Sequence, residues 1–208
     1  YIYAGKASSF IAVDYTYPLQ ESGFAIRFYD SEGIRVKEYS SDMQNNPVIE
    51  LEFEHEQTGC GYFSFTLARI PSDFEIAYGM RVDIHLFGDN NPWYSGYVTV
   101  KPSKGTTKDT VTYEGYGFYG QLSDIIVNHT YDNTEISNIV RELMISDIEP
   151  KTDIVYSSTQ ITSTGYTATK LKFAYVTAKD AIEDLADYAG NFIVGVDEYR
   201  KLFFKPEN

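Results

Sequence analysis

Three histidines, one cysteine and several runs of carboxylates are the residues of this 208-residue chain with the chemistry to catalyse or to ligate. His55, His85 and His129 show no H-E-x-x-H or H-x-H spacing, and no C-x-x-C accompanies them, so no metal site or metal cofactor is expected. Cys60 lies between Gly59 and Gly61. A nucleophilic thiolate needs a histidine or a helix N-terminus beside it, and the two glycines read more simply as turn residues. Carboxylates recur at Glu50, Glu52, Glu54 and Glu56, and again at Glu183, Asp184 and Asp187. A glycosidase pairs two carboxyls across a cleft. Same-face neighbours on one strand stand about 7 Å apart, so spacing leaves that chemistry open. A row of four acids on one strand reads first as a solvated face and second as the lining of an acidic channel. No G-x-S-x-G elbow or Walker loop is present, and "GYGFYG" at 115–120 lacks the lysine and the strand–turn–helix context of a phosphate loop. The expectation is a protein that is not an enzyme and holds no cofactor.

Aromatic side chains are the other binding chemistry. Tyrosine is used 19 times and tryptophan once. Trp93, Tyr94 and Tyr97, with Tyr113, Tyr116 and Tyr119, have the character to stack sugars. By alternation Tyr113 and Tyr119 share one strand face while Tyr116 takes the other, which argues against a single platform. Cross-strand packing with glycines relieving a bend is the commoner arrangement. A carbohydrate- or receptor-binding module with Trp93, Tyr94 and Tyr97 as stacking residues is the alternative reading.

Composition bounds the rest. The formal charge is −13, which opposes a grip on nucleic acid or on an anionic membrane. No apolar run approaches the length of a membrane span, so no membrane insertion is expected. With one cysteine there is no intrachain disulfide. The chain begins at Tyr1 without a signal pattern and is read as a portion of a longer protein or a short member of its kind.

The elements that must position these residues follow from period. Residues 25–29 and 34–39 flank "DSEG" as a hairpin. Residues 49–55 alternate strictly, with Leu51, Phe53 and His55 on one side and the four glutamates on the other. Strands follow at 62–69, 81–87, 93–100 and 110–117, separated by turns and a loop at 101–109, as in an antiparallel meander curling into a barrel. The period then changes. Ile136, Ile139, Val140, Leu143 and Met144 are spaced as a helix, with Thr134 placed to cap it. Residues 154–156 and 171–176 read as strands. Thr177 caps a second helix that ends at Gly190, and a hairpin closes the chain. Gly115, Gly117 and Gly120 are expected as bend points where the chain leaves the barrel, with Tyr113 and Tyr119 packed inward. The fold class expected is α+β and β-rich: residues 1–24 an unassigned N-terminal arm, 25–120 an antiparallel β-barrel, 121–208 a smaller α+β domain with two helices and a terminal hairpin.

The stretch "LKFAYVTAKDAIEDLADYAGNFIVGVDEYRKLFFKP" (171–206) is a strand, a capped helix, a "G-N-F" exit and a hairpin. With "GYFSFTL", "GMRVDIHLFGDNNPWYSGYVTV" and "VTYEGYGFYGQLSDIIV", this order resembles the baseplate hub proteins of bacteriophage tails, which include tail-associated lysins and late-control hub proteins. The resemblance covers residues 25–206. It implies a tail-tube-like barrel in a homotrimeric ring under the tail tube. The partners it implies are the distal tail protein, the tail tube and other baseplate proteins, with DNA or tape-measure protein only passing through. The location it implies is the virion, or a prophage product made in the bacterial cytoplasm. No lysin module is expected within these residues. Glu50, Glu52, Glu54 and Glu56 are then the candidate channel lining.

Overall fold

The computed structural model describes residues 23–69, 71, 74–100 and 110–207. The expected loop at 101–109 and all but the last two residues of the expected arm lie outside them. The chain divides into two compact units, one of residues up to 56 and 60–117, the other of residues 57–59 and 118 onward.

The first unit is a sheet of seven strands: β1 (Phe24–Tyr29), β2 (Arg35–Ser40), β3 (Val48–Glu56), β4 (Gly59–Leu67), β5 (Arg81–Leu86), β6 (Tyr94–Val100) and β7 (Val111–Gly117). Their lateral order is β3-β4-β7-β6-β5-β1-β2. β1 and β2 are joined by a turn that the Asp30 carboxylate organises, accepting hydrogen bonds from the N–H groups of Glu32 and Ile34. The strands turn most of their buried apolar residues to one side. Ile26, Phe28, Phe63, Phe65, Leu67, Val82, Ile84, Tyr94 and Val98 are wholly buried there, each of the larger ones contributing about 1.5–3 kcal/mol. The sheet curls over this core. Flat, β1 and β4 would stand about 19 Å apart, four ladder steps of about 4.8 Å. Yet the rings of Phe28 and Phe65 lie 5.7 Å apart, edge to face.

The curl does not close. Among the described residues β2 pairs only with β1 and β3 only with β4, so the sheet is open where a barrel was expected. Gly115 and Gly117 are not bends either. They lie within β7, where a Cβ on Gly115 would strike the Tyr97 carbonyl oxygen and the Phe63 ring, and one on Gly117 the Cys60 carbonyl. Both glycines let neighbouring strands and rings approach the backbone.

The second unit opens with a 3-10 segment, Phe118–Asp124, where a direct switch to α-helix was expected. A long antiparallel hairpin follows, β8 (Ile126–Glu135) with β9 (Thr167–Thr177). β8 was not foreseen. Only Val127 and Tyr131 of its inner positions are buried, so its alternation is faint in the sequence. Between the two strands run α1 (Ile136–Leu143) and a π-helical turn, Met144–Ile148. Thr134 does not cap α1: its hydroxyl donates to the Asp132 carbonyl, and Glu135 holds the cap position. Residues 154–156 contribute only an isolated bridge, Val155 to Lys201. α2 (Ala178–Ala189) starts as its sequence requires, with the Asp180 N–H donating to Thr177 Oγ1 at 3.0 Å, and stops at Gly190 with φ +63°. Its stripe of Ala181, Ile182, Leu185 and Ala186 is buried. The hairpin β10 (Phe192–Val196) and β11 (Leu202–Pro206) ends the unit, and Val196 N–H donates to the Thr58 carbonyl. Tyr113 in the first unit and Tyr119 in the second are both buried, 4% and 8% exposed.

Candidate functional site

Since most buried apolar residues of the first unit face one way, the alternate residues form a second face of polar and aromatic side chains. Directly paired residues of a ladder point to the same side. The registers therefore align one row across six strands: Tyr62, Tyr116, Tyr97, Arg81, Tyr29 and Arg35. Tyr62 and Tyr116 meet edge to face at 5.6 Å, and the Arg81 guanidinium lies 4.2 Å above the Tyr29 ring.

The charge on this face is graded. Toward β2 it carries Arg27, Arg35 and Arg81. Arg27 and Arg35 converge on Glu38 at 2.8 and 2.9 Å. Arg81 pairs with the buried Asp83, which also accepts the Ser95 hydroxyl. Arg27 also approaches His85 Nε2 at 3.2 Å while His85 Nδ1 lies 3.2 Å from the Asp89 carbonyl, which fits a neutral ring protonated on Nδ1. Burial, then the Arg27 charge, lower the His85 pKa.

Toward β3 the face is acidic. Glu50 accepts the Thr66 hydroxyl at 3.3 Å and Glu54 the Tyr62 N–H at 3.3 Å. Among the described residues, Glu50, Glu52, Glu54 and Glu114 form no ion pair. Burial raises the Tyr62 pKa, and the Glu114 and Glu52 charges add to the rise. Glu50, Glu52 and Glu54 thus share one surface, and Glu56 stands at the end of its strand.

The stacking candidates are not brought together. Tyr94 is fully buried among Phe53 and Phe63 and donates its hydroxyl to the Gly61 carbonyl at 2.6 Å. Burial drives its pKa well above the usual range. It has no surface to offer a sugar. Trp93 packs partly on the core, edge to face with Phe87 at 5.9 Å. Of these three only Tyr97 joins the row, beside Tyr116, which the sequence also offered as a stacking residue, and Tyr62, which spacing did not single out. Their grouping depends on inter-strand register, and the sequence carries no signal for it.

The catalytic candidates are dispersed. Cys60 is buried. His55 lies beside the rings of Phe53 and Tyr94. In the second unit His129 Nε2 is 2.8 Å from Asp147. Burial pushes Asp147 up, but hydrogen bonds from Ser146, His129 and Lys151 outweigh it and hold the carboxyl below its usual range. No group of three or more His, Cys, Asp or Glu side chains among the described residues is arranged to hold a metal ion. No helix among them is long and apolar enough to cross a membrane.

No protein-family profile and no curated protein sequence matches the chain. Solved structures do. The 43 kDa tail protein of prophage MuSo2 from Shewanella oneidensis superposes with a TM-score of 0.63 at 14% identity, over 89% of this chain and 53% of that one. A tail protein from Neisseria meningitidis MC58 gives 0.55 at 11% identity, over 88% and 51%. Prophage tail protein gp18 from Listeria monocytogenes EGD-e gives 0.52 at 14% identity, over 88% and 50%. The chain spans about half the length of each of these proteins. Its fold is the fold of these phage tail proteins.

Proposed function

We propose that the chain is a structural baseplate hub component of a phage tail or a related injection machine. In this reading it acts without catalysis or cofactor, as a homotrimeric ring that continues the tail tube and lets DNA or tape-measure protein pass. The observation that carries the reading is the agreement of fold with three tail proteins over nearly nine tenths of the chain. Residues 25–120 would serve as the tail-tube-like barrel domain and 121–208 as the second hub domain. The open sheet would complete its wall only in the ring. Glu50, Glu52 and Glu54, with Glu56 beyond them, would line the lumen and repel a passing polyanion. Its partners would be the distal tail protein, the tail tube and other baseplate proteins, in a virion or a prophage-encoded particle.

Gold-labelled antibody against the chain, applied to purified particles, tests the assignment. Label at the distal end of the tail is the expected result. Particles that carry no label after mild disruption, while the chain is found free in the lysate, would contradict it.

A further inference from the structure

A cavity of about 180 Å³ opens in the first unit between β1, the end of β2 and the turn that follows β5. Sites for drug-sized ligands run to about 300–1,000 Å³, so this one suits a single small ring. Its walls carry both donors and acceptors. The Arg27 guanidinium is fixed from two sides, by Glu38 at 2.8 Å and by Nε2 of the buried His85 at 3.2 Å, and its Nη2 forms no hydrogen bond among the described residues. Ser41 Oγ accepts the Phe24 N–H at 3.1 Å, which leaves its own proton to donate. Asp89 engages one carboxylate oxygen with the Asn91 N–H. Asp42 is exposed and forms no ion pair among the described residues.

Phe87 stands at the rim. Its N–H donates to the Gly23 carbonyl, and Gly23 and Gly88 both line the cavity. Phe87 and Gly88 have φ of +56° and +73°, and the Asp89 N–H closes their turn on the Leu86 carbonyl at 3.0 Å. Such a turn favours asparagine and glycine, and a bulky residue there is strained. The ring is nevertheless 60% exposed, edge to face with Trp93. Backbone strain of this kind gathers at ligand sites. The walls narrow the class of ligand. Glu38, Asp42 and Asp89 outnumber Arg27, which disfavours an anion. No His, Cys, Asp and Glu grouping among the described residues is arranged for a metal ion. An ammonium group only donates, and would leave the Arg27 and Ser41 donors unmatched. A neutral ring of hydroxyls, each able to donate and accept, matches them all.

The geometry points to a binding site for one neutral sugar ring, its hydroxyls on Arg27, Ser41, Asp42 and Asp89 and its apolar face against Phe87. This goes beyond the hub reading and does not depend on it. Saturation-transfer NMR on the full chain tests it with the methyl glycosides of glucose, galactose and N-acetylglucosamine up to about 100 mM, the weak range expected of a single ring. Glucose 6-phosphate and methylammonium serve as charged probes. At least one neutral glycoside should bind saturably and shift the fluorescence of Trp93, the chain's single tryptophan, while the charged probes bind more weakly. Phe87→Gly should weaken binding by about fivefold or more, since the stacking ring is gone, yet melt no lower than the wild type, because glycine takes a positive φ without strain. Asp42→Ala, at an exposed position, should weaken binding by about tenfold through a lost charged acceptor. Circular dichroism checks that each variant folds, and should one misfold the other decides. No binding of any neutral glycoside, tighter binding of a charged probe, or binding that a folded variant leaves unchanged would overturn the inference and leave the hub reading standing.

Discussion

The two units solve the problem of burying a surface differently. The first wraps one sheet around aromatic rings, and its backbone must come very close to them; Gly115 and Gly117 lie inside strands because a methyl group there meets a carbonyl oxygen or a ring. The second lays short helices and a hairpin over a mixed aliphatic, alanine and aromatic core, and two of its glycines stand where the chain turns. Gly165 and Gly190 have φ of +70° and +63° with no atom near the position of a Cβ. At these four positions the same residue type is a matter of space in one pair and of backbone angle in the other; Gly195, inside β10 of the second unit, belongs with the first pair, since a Cβ there meets the Phe203 ring and the Thr58 carbonyl. Strand packing leaves no slack in the direction of the ladder, whereas a helix end needs only a residue that tolerates the left-handed region.

That contrast is breakable. Gly115→Ala should destabilise the first unit by about 3 kcal/mol, since the Tyr97 backbone has to move. Gly165→Ala should cost the second only about 1 kcal/mol. Equal effects would remove the distinction. The chain's single tryptophan, Trp93, belongs to the first unit. Its fluorescence during urea unfolding therefore reports the first change, and the far-ultraviolet helical signal the second. Next in size, Tyr94→Phe should lower the tryptophan-detected stability by about 1.5 kcal/mol, because the Gly61 carbonyl loses a buried donor. Thr177→Ala should lower the helix-detected stability by about 1 kcal/mol through loss of the α2 cap.

The smallest effect is confined to acid. The Glu135 carboxylate accepts the Ser163 hydroxyl and the N–H groups of Thr164 and Gly165. These bonds, that of Ser163 foremost, hold its pKa below the usual range. The folded state then binds that proton less tightly than the unfolded chain. The stability it contributes is full above the ordinary glutamate pKa and is lost as pH falls through that value toward the lowered one. Asp147 acts with the same sign. Glu135→Gln should flatten the fall in the second unit's urea midpoint between about pH 5 and 3 while leaving the first unit's profile alone. An unchanged slope would show that these bonds do not hold the Glu135 carboxylate in solution.

Legibility in the sequence followed burial. β3 was readable because Leu51 and Phe53 are buried and alternate with glutamates. α2 was readable because its cap, stripe and terminal glycine all agree. β8 was not, since a two-stranded hairpin with exposed Ile126, Asn128 and Thr130 has little alternation to show. Nor was the π-helical turn that carries α1 on to Ile148, because its apolar positions fit a helical period equally well. Local pattern also mistook Thr134 for a cap one residue early. Of the candidate surface, the acidic half was visible as a row of glutamates along one strand. The Tyr62–Tyr116–Tyr97–Arg81–Tyr29–Arg35 row was invisible, since its members come from six strands and only ladder register aligns them. Closure of the barrel was read from strand count, but two unpaired margins are a property of the order in which strands pair, which a strand count does not carry.

The most direct test of the ring is electron cryo-microscopy of the assembly that the chain forms, alone or in the particle. The expected map is a closed ring of three copies with Glu50, Glu52 and Glu54 turned toward the lumen. An assembly that is no ring, or a ring with these glutamates on its outer wall, would contradict the account.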